Sequence, residues 1–139
     1  MADRTLIAVV DDEPGWLALV GTMLSDQGFH AQLLGDAGSA LAQIVKDDPA
    51  VVILGETALA WRLRNTLGDA CPVLLLVTGD LGELREDDVA LFQAAYEKPA
   101  SLQRILGEVR RAVRGRRCSG TVIKAQPEVV TARRAGNGS

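Results

Sequence analysis

Aromatic side chains make up only 4% of the 139 residues, with two Trp, two Phe and one Tyr. A core without aromatic bulk must be aliphatic, and a hydrophobic content of 47% can fill one core of ordinary domain size. Rings on which nucleobases could stack are equally scarce. Cysteine is limited to Cys71 and Cys118, too few for a disulfide framework, and neither stands in a CxxC pair or beside a histidine. The single histidine, His30, falls in a strand-like run and reads as an ordinary strand residue. Serine, histidine and cysteine make no convincing triad, so the chain is not expected to be an enzyme. No apolar run approaches the roughly 20 residues that span a bilayer. The N-terminus, MADRTLIAVVDDEPG, turns acidic too early for a secretory signal, and a reduced, cytoplasmic setting is the expectation.

Positive charge is also sparse over most of the chain. The net charge is −3, but residues 1–114 hold 10 Lys/Arg against 17 Asp/Glu. Residues 115–139 hold Arg116, Arg117, Lys124, Arg133 and Arg134 against one acid, Glu128. An acidic body disfavours nucleic acid as a partner. The basic segment has little apolar surface to bury, so the expected division is a domain over 1–114 and a disordered tail over 115–139. That tail is too short to be an output domain.

What is present is alternation. Leu6–Val10 is a buried-strand run, and Pro14 opens a helix with Trp16, Leu17, Val20, Met23 and Leu24 on one face, ended by Gly28. Phe29–Leu34 reads as a second strand, and Ala37–Lys46 as a helix with Leu41, Ile44 and Val45 inward. Ala50–Leu54 is the third strand, Thr57–Leu67 a helix, and Pro72–Val77 the fourth strand. Leu84–Gln93 fits a further helix and Ala94–Glu97 a short fifth strand. Ser101 is a good N-cap for a last helix through about Arg114, with Leu102, Ile105, Leu106, Val109 and Val113 on a broad apolar face. Five strands alternating with five helices imply an α/β, flavodoxin-like fold: a doubly wound parallel sheet covered on both faces.

Four polar features fall at strand carboxyl ends, which converge on one crevice in such a sheet. They are Asp11-Asp12-Glu13, Gly55-Glu56, Thr78-Gly79 and Lys98-Pro99. Each has a bland reading as a helix start, turn or loop. Together, paired carboxylates, a hydroxyl and a lysine suit a divalent cation and a phosphoryl group. Neither GxGxxG nor a GxxxxGKS/T phosphate loop follows the first strand.

VVDDEPG, the TG at 78–79 and the EKP at 97–99, in this order on five strands, resemble the receiver domain of two-component response regulators. The resemblance covers roughly residues 4–114. It implies phosphoryl transfer from a histidine kinase to an aspartate after strand 3, with Mg²⁺ on the acidic pair. By position, Asp11 and Asp12 would be that pair, a weak Mg²⁺ site, while Thr78 and Lys98 would contact phosphoryl oxygens. Leu54 is instead followed by Gly55, which has no side chain. Glu56 is a poor replacement, because a one-residue slip points a side chain elsewhere and about 1 Å of misplacement can cost on the order of 10²-fold in rate. The family's aromatic switch position holds Ala95, with Tyr96 one place later and facing the other side. The 78–98 segment is short, with an acidic stretch at Glu83–Asp88.

The expectation is a receiver-like signalling module, cytoplasmic, acting without phosphorylation through a signalling partner (a histidine kinase or output protein) or as a homodimer. Lys98, lacking an acceptor carboxylate, is expected to turn to Asp11 or Asp12. Trp16 and Trp61 read as packing residues, with Trp61 an interface residue if exposed. Two alternatives stay open: phosphorylation on Glu56 or another carboxylate with Mg²⁺, and an unrelated flavodoxin-like cofactor binder.

Overall fold

The computed structural model describes residues 5–117. Five strands, β1 Leu6–Val10, β2 His30–Leu34, β3 Val51–Leu54, β4 Val73–Thr78 and β5 Ala94–Glu97, form one sheet in the order β2-β1-β3-β4-β5. Every adjacent pair is parallel. The helices are α1 Pro14–Asp26, α2 Ala37–Asp47, α3 Thr57–Leu67, α4 Glu86–Val89 and α5 Leu102–Arg117. Short 3₁₀ turns occupy Gly68–Ala70 and Leu81–Glu83. This is the doubly wound, flavodoxin-like architecture expected from the sequence.

Alternation along each strand divides the core into two layers. Ile7 and Val9 of β1 pack with Val20 and Leu24 of α1 and with Ile105 and Val109 of α5. Ala8 and Val10 pack with Ala40 and Ile44 of α2 and with Leu59 and Leu63 of α3. β3 is central, and all four of its residues are at most 1% exposed, as an unbroken apolar run in a parallel sheet requires. Val10, Leu54 and Leu76 are level in register, so β1, β3 and β4 reach the carboxyl rim of the sheet together.

Local chemistry sets the helix ends. Pro14 stands in the first turn of α1, and beyond the other end Gly28 takes φ +91, letting the Phe29 N–H donate to the Leu24 carbonyl at 3.0 Å. Asp36 caps α2 by accepting from the Gly38 N–H at 3.0 Å. Ser101 caps α5 by accepting from the Arg104 N–H at 3.2 Å.

The fourth helix differs most from expectation. In place of a helix over 84–93 there is an extended link after the 3₁₀ turn and one helical turn at Glu86–Val89. Extended backbone at Leu84 and Arg85 separates the two turns, and an aspartate caps the amino end of each: Asp80 accepts from the Gly82 N–H at 2.8 Å and Asp88 from the Arg85 N–H at 3.0 Å. Burial of Phe92, and the Gln93 N–H bonding the Leu74 carbonyl at 2.9 Å, then draw the chain into β5.

Three smaller differences follow from packing. Val45, expected inward, is 41% exposed, because Ala40 and Ile44 define the buried line of α2 and Val45 lies about 100° round from Ile44. Thr78 is the last residue of β4 rather than the residue after it, paired with Glu97. Helix α5 continues past Arg114 to Arg117, and the rest of the expected tail lies outside the described residues.

Candidate functional site

The strand ends enclose a cavity of about 490 Å³. Asp11 and Asp12 line it beyond β1, Asp36 beyond β2, Gly55 and Glu56 beyond β3, Thr78 at the end of β4, and Lys98 beyond β5. The fold therefore brings together all the site residues named from the sequence. It adds Asp36, the N-cap of α2.

Asp11 is the buried carboxylate of the group, with the residue 9% exposed. Its backbone N–H donates to the Leu34 carbonyl at 3.1 Å, fixing the start of the β1–α1 link. Its Oδ1 accepts the Glu13 N–H at 2.9 Å, and its Oδ2 accepts from Lys98 Nζ at 2.9 Å. Lys98 Nζ also donates to Glu13 Oε1 at 2.8 Å and stands 5.3 Å from the ring centroid of Trp16. The expectation that Lys98 turns to Asp11 or Asp12 is met at Asp11. The second carboxylate, however, is Glu13 and not Asp12, which is exposed on the cavity wall. Burial pushes the Lys98 ammonium towards a lower pKa, but its hydrogen bonds to Glu13 and Asp11 and their charge outweigh this, leaving it above the ordinary lysine value.

Gly55 is not required by its backbone, since the described glycines with positive φ are Gly28 and Gly68. A Cβ built there would stand 3.3 Å from the Val77 carbonyl oxygen and 3.4 Å from Asp11 Oδ2. A side chain at this position would thus enter the crevice directly against the acidic residue. Glu56 is exposed in extended conformation at the start of α3, and its side chain makes no cap bond. The Thr78 hydroxyl accepts from the Asp80 N–H at 3.5 Å.

The receiver resemblance implies Mg²⁺ on Asp11 and Asp12, and the side chains do not fit that ion. Both carboxylate oxygens of Asp11 are engaged, one by a backbone N–H and one by Lys98. Among the described residues, no three His, Cys, Asp or Glu side chains converge as a metal site.

From the sequence Glu13 stands at the crevice without a role and Trp16 reads as packing, so their hold on Lys98 is missed. The sequence carried a signal: Glu13 and Trp16 are three apart at the first turn of α1, on neighbouring positions of one face. Only the fold reveals that Lys98 arrives above them.

Two further placements bear on signalling. Ala95 is buried in the α2/α3 layer while Tyr96 packs in the α1/α5 layer, its hydroxyl donating to the Arg104 carbonyl at 3.4 Å. Trp61 is 36% exposed on α3, with its indole N–H donating to Asp88 Oδ1 at 2.8 Å. His30 is exposed at the amino end of β2, away from the crevice. No described helix is long and apolar enough to cross a membrane.

No family model matches the chain. The nitrogen assimilation regulatory protein NtrX of Azorhizobium caulinodans is 29% identical over 116 residues, 77% of this chain and 26% of that protein. The chain thus spans about a quarter of the length of the curated relative it matches. The crystal structure of NtrX from Brucella abortus is 26% identical with a TM-score of 0.69, covering 81% of this chain and 26% of the other. The CheY-like response regulator receiver domain from Methylobacillus flagellatus matches in fold, with a TM-score of 0.69 at 19% identity over 79% of this chain and 99% of the other. The NtrX likenesses in sequence and the CheY-like likeness in fold show that the chain has the fold of a response-regulator receiver domain.

Proposed function

We propose that this receiver domain works in two-component or phosphorelay signalling through protein–protein contact, without itself accepting a phosphoryl group. The observation that carries the reading is Gly55, which places no carboxylate at the end of β3, where the receiver resemblance calls for the acceptor. Two arrangements support it. Four carboxylates, Asp11, Asp12, Asp36 and Glu56, line the cavity with one ammonium, a net negative setting that repels an incoming phosphoryl anion. The Lys98–Asp11 pair at 2.9 Å also ties β5 to β1 and favours one fixed arrangement of the rim. Signalling then depends on when and where the domain meets its partner, a histidine kinase or an output protein.

The test is labelling with acetyl phosphate and Mg²⁺, read by mass spectrometry for a hydroxylamine-sensitive acyl phosphate. The wild-type chain is expected to gain no adduct. An adduct on Glu56 or any other carboxylate would overturn the reading. Gly55→Asp is the control, and labelling gained there alone would locate the deficit at residue 55.

A further inference from the structure

Asp11 is the one carboxylate of the crevice that folding removes from water, so its counter-ion decides what else can enter. A buried carboxylate needs a partner charge and hydrogen bonds on its lone pairs. Lys98 provides the charge at 2.9 Å, and the Glu13 N–H provides the second bond. The lysine is itself held on two further sides, by Glu13 Oε1 at 2.8 Å and by the Trp16 ring at 5.3 Å. A cation against an aromatic face in a partly dehydrated setting is attracted to it, so the ring holds the ammonium over the acid. Gly55 supplies no carboxylate of its own. Asp12, Asp36 and Glu56 are exposed on separate loops and do not converge with Asp11 on one point.

We infer that Lys98 is the resident counter-ion of this crevice, standing where the receiver resemblance would put a divalent cation, and that it excludes Mg²⁺ and Mn²⁺ for as long as it is held there. A divalent ion bound to Asp11 Oδ2 must either evict the lysine from Asp11, Glu13 and Trp16 or sit against its positive charge. Mg²⁺ still needs at least one free carboxylate oxygen among its octahedral ligands, and both oxygens of Asp11 are already engaged. Trp16 and Glu13 are positioning residues for the ammonium. The inference is independent of the reading above: a chain phosphorylated elsewhere could still exclude metal, and a chain never phosphorylated could still bind it.

The experiment uses the full chain with Trp61→Phe, which leaves Trp16 as the only tryptophan and so a reporter beside Lys98. Its emission is followed as MgCl₂ is raised to roughly 10 mM at fixed ionic strength, because screening alone perturbs exposed charges. Free Mn²⁺ is counted in parallel by electron paramagnetic resonance. The parent is expected to give no saturable response by either measure, and adding Lys98→Met is expected to tighten Mn²⁺ binding by at least about tenfold, as loss of a neighbouring positive charge requires. Stoichiometric Mn²⁺ binding by the parent with a Kd below about 1 mM would overturn the inference. So would a Lys98→Met variant that binds no tighter than the parent. Should that variant not fold, the ¹⁵N–¹H signal of the Lys98 ammonium in the unaltered chain decides. A protected signal unchanged by Mg²⁺ supports the inference, and an absent signal, or one lost saturably with Mg²⁺, refutes it.

Discussion

Lys98 Nζ lies 2.9 Å from Asp11 Oδ2, joining residues 87 apart in sequence. The two stand at the ends of β5 and β1, with β3 and β4 between those strands in the sheet. The contact therefore closes a loop over the carboxyl rim, and its strength bears on how the rim behaves.

Lys98→Met is expected to lower stability by about 1–3 kcal/mol, since it strands the buried Asp11 carboxylate. The figure is held below that of a fully buried pair because the Lys98 side chain is 25% exposed. Glu13→Gln should cost less than about 1 kcal/mol, as the Glu13 side chain is 61% exposed. Urea unfolding of both variants checks the order, and equal losses would mean that Asp11 is not the dominant partner.

The pKa of Lys98 is raised in the folded chain, so the stability it contributes is fully present below the unfolded lysine value, about 10.4, and fades as pH rises through the folded one. The difference in unfolding free energy between wild type and Lys98→Met should accordingly stay flat through neutral pH and shrink only in strongly alkaline solution. A difference that vanishes near neutrality would show that the lysine is not held as described.

Gly55→Ala must displace the Val77 carbonyl by a few tenths of an ångström, and its effect should stay within about 1 kcal/mol of wild type. Gly55→Asp meets the same contact and adds a charge beside Asp11. It should be the less stable of the two at low salt, with the gap narrowing as salt screens the repulsion. Thermal melts at two ionic strengths test this, and a gap indifferent to salt would point to steric crowding instead.

The Asp88 carboxylate accepts both the Trp61 indole N–H at 2.8 Å and the Arg85 N–H at 3.0 Å, and the two bonds hold its pKa below the usual value, the Trp61 bond first. Its contribution is present above the ordinary aspartate value and is lost as pH falls through the lower folded one. Asp88→Ala should cost about 1 kcal/mol and speed hydrogen exchange in the β4–β5 connection, while Trp61→Phe should give a smaller version of the same pattern. Unchanged exchange in both would show that the bond does not hold that segment.

The sequence was legible where one local rule governed. VVIL between turn residues could only be a buried strand, and the run from Thr57 to Leu67 forms α3 with the bounds expected. Leu84–Gln93 misled because its apolar spacing suits a helix, while the extended backbone at Leu84 and Arg85 and the draw of Phe92 and Gln93 into the sheet, invisible in a periodicity count, leave a single turn. Position along the chain assembled the crevice, because strand ends are set by the fold class. The choice of Glu13 over Asp12 as the second partner of Lys98 was not legible. It depends on the Asp11 side chain folding back on the Glu13 N–H, which sets the first turn of α1 beneath the lysine.

Ala95 and Tyr96 lie on opposite sides of β5, so the single tyrosine and the exposed tryptophan of α3 sit in different layers. A swing of the Tyr96 ring off the Arg104 carbonyl would be felt by α5 and leave the Trp61–Asp88 bond undisturbed. With Trp16, which shares the Tyr96 layer, replaced by Phe, phenol and indole absorption become separate gauges of the two halves of the molecule, each blind to what happens behind the sheet.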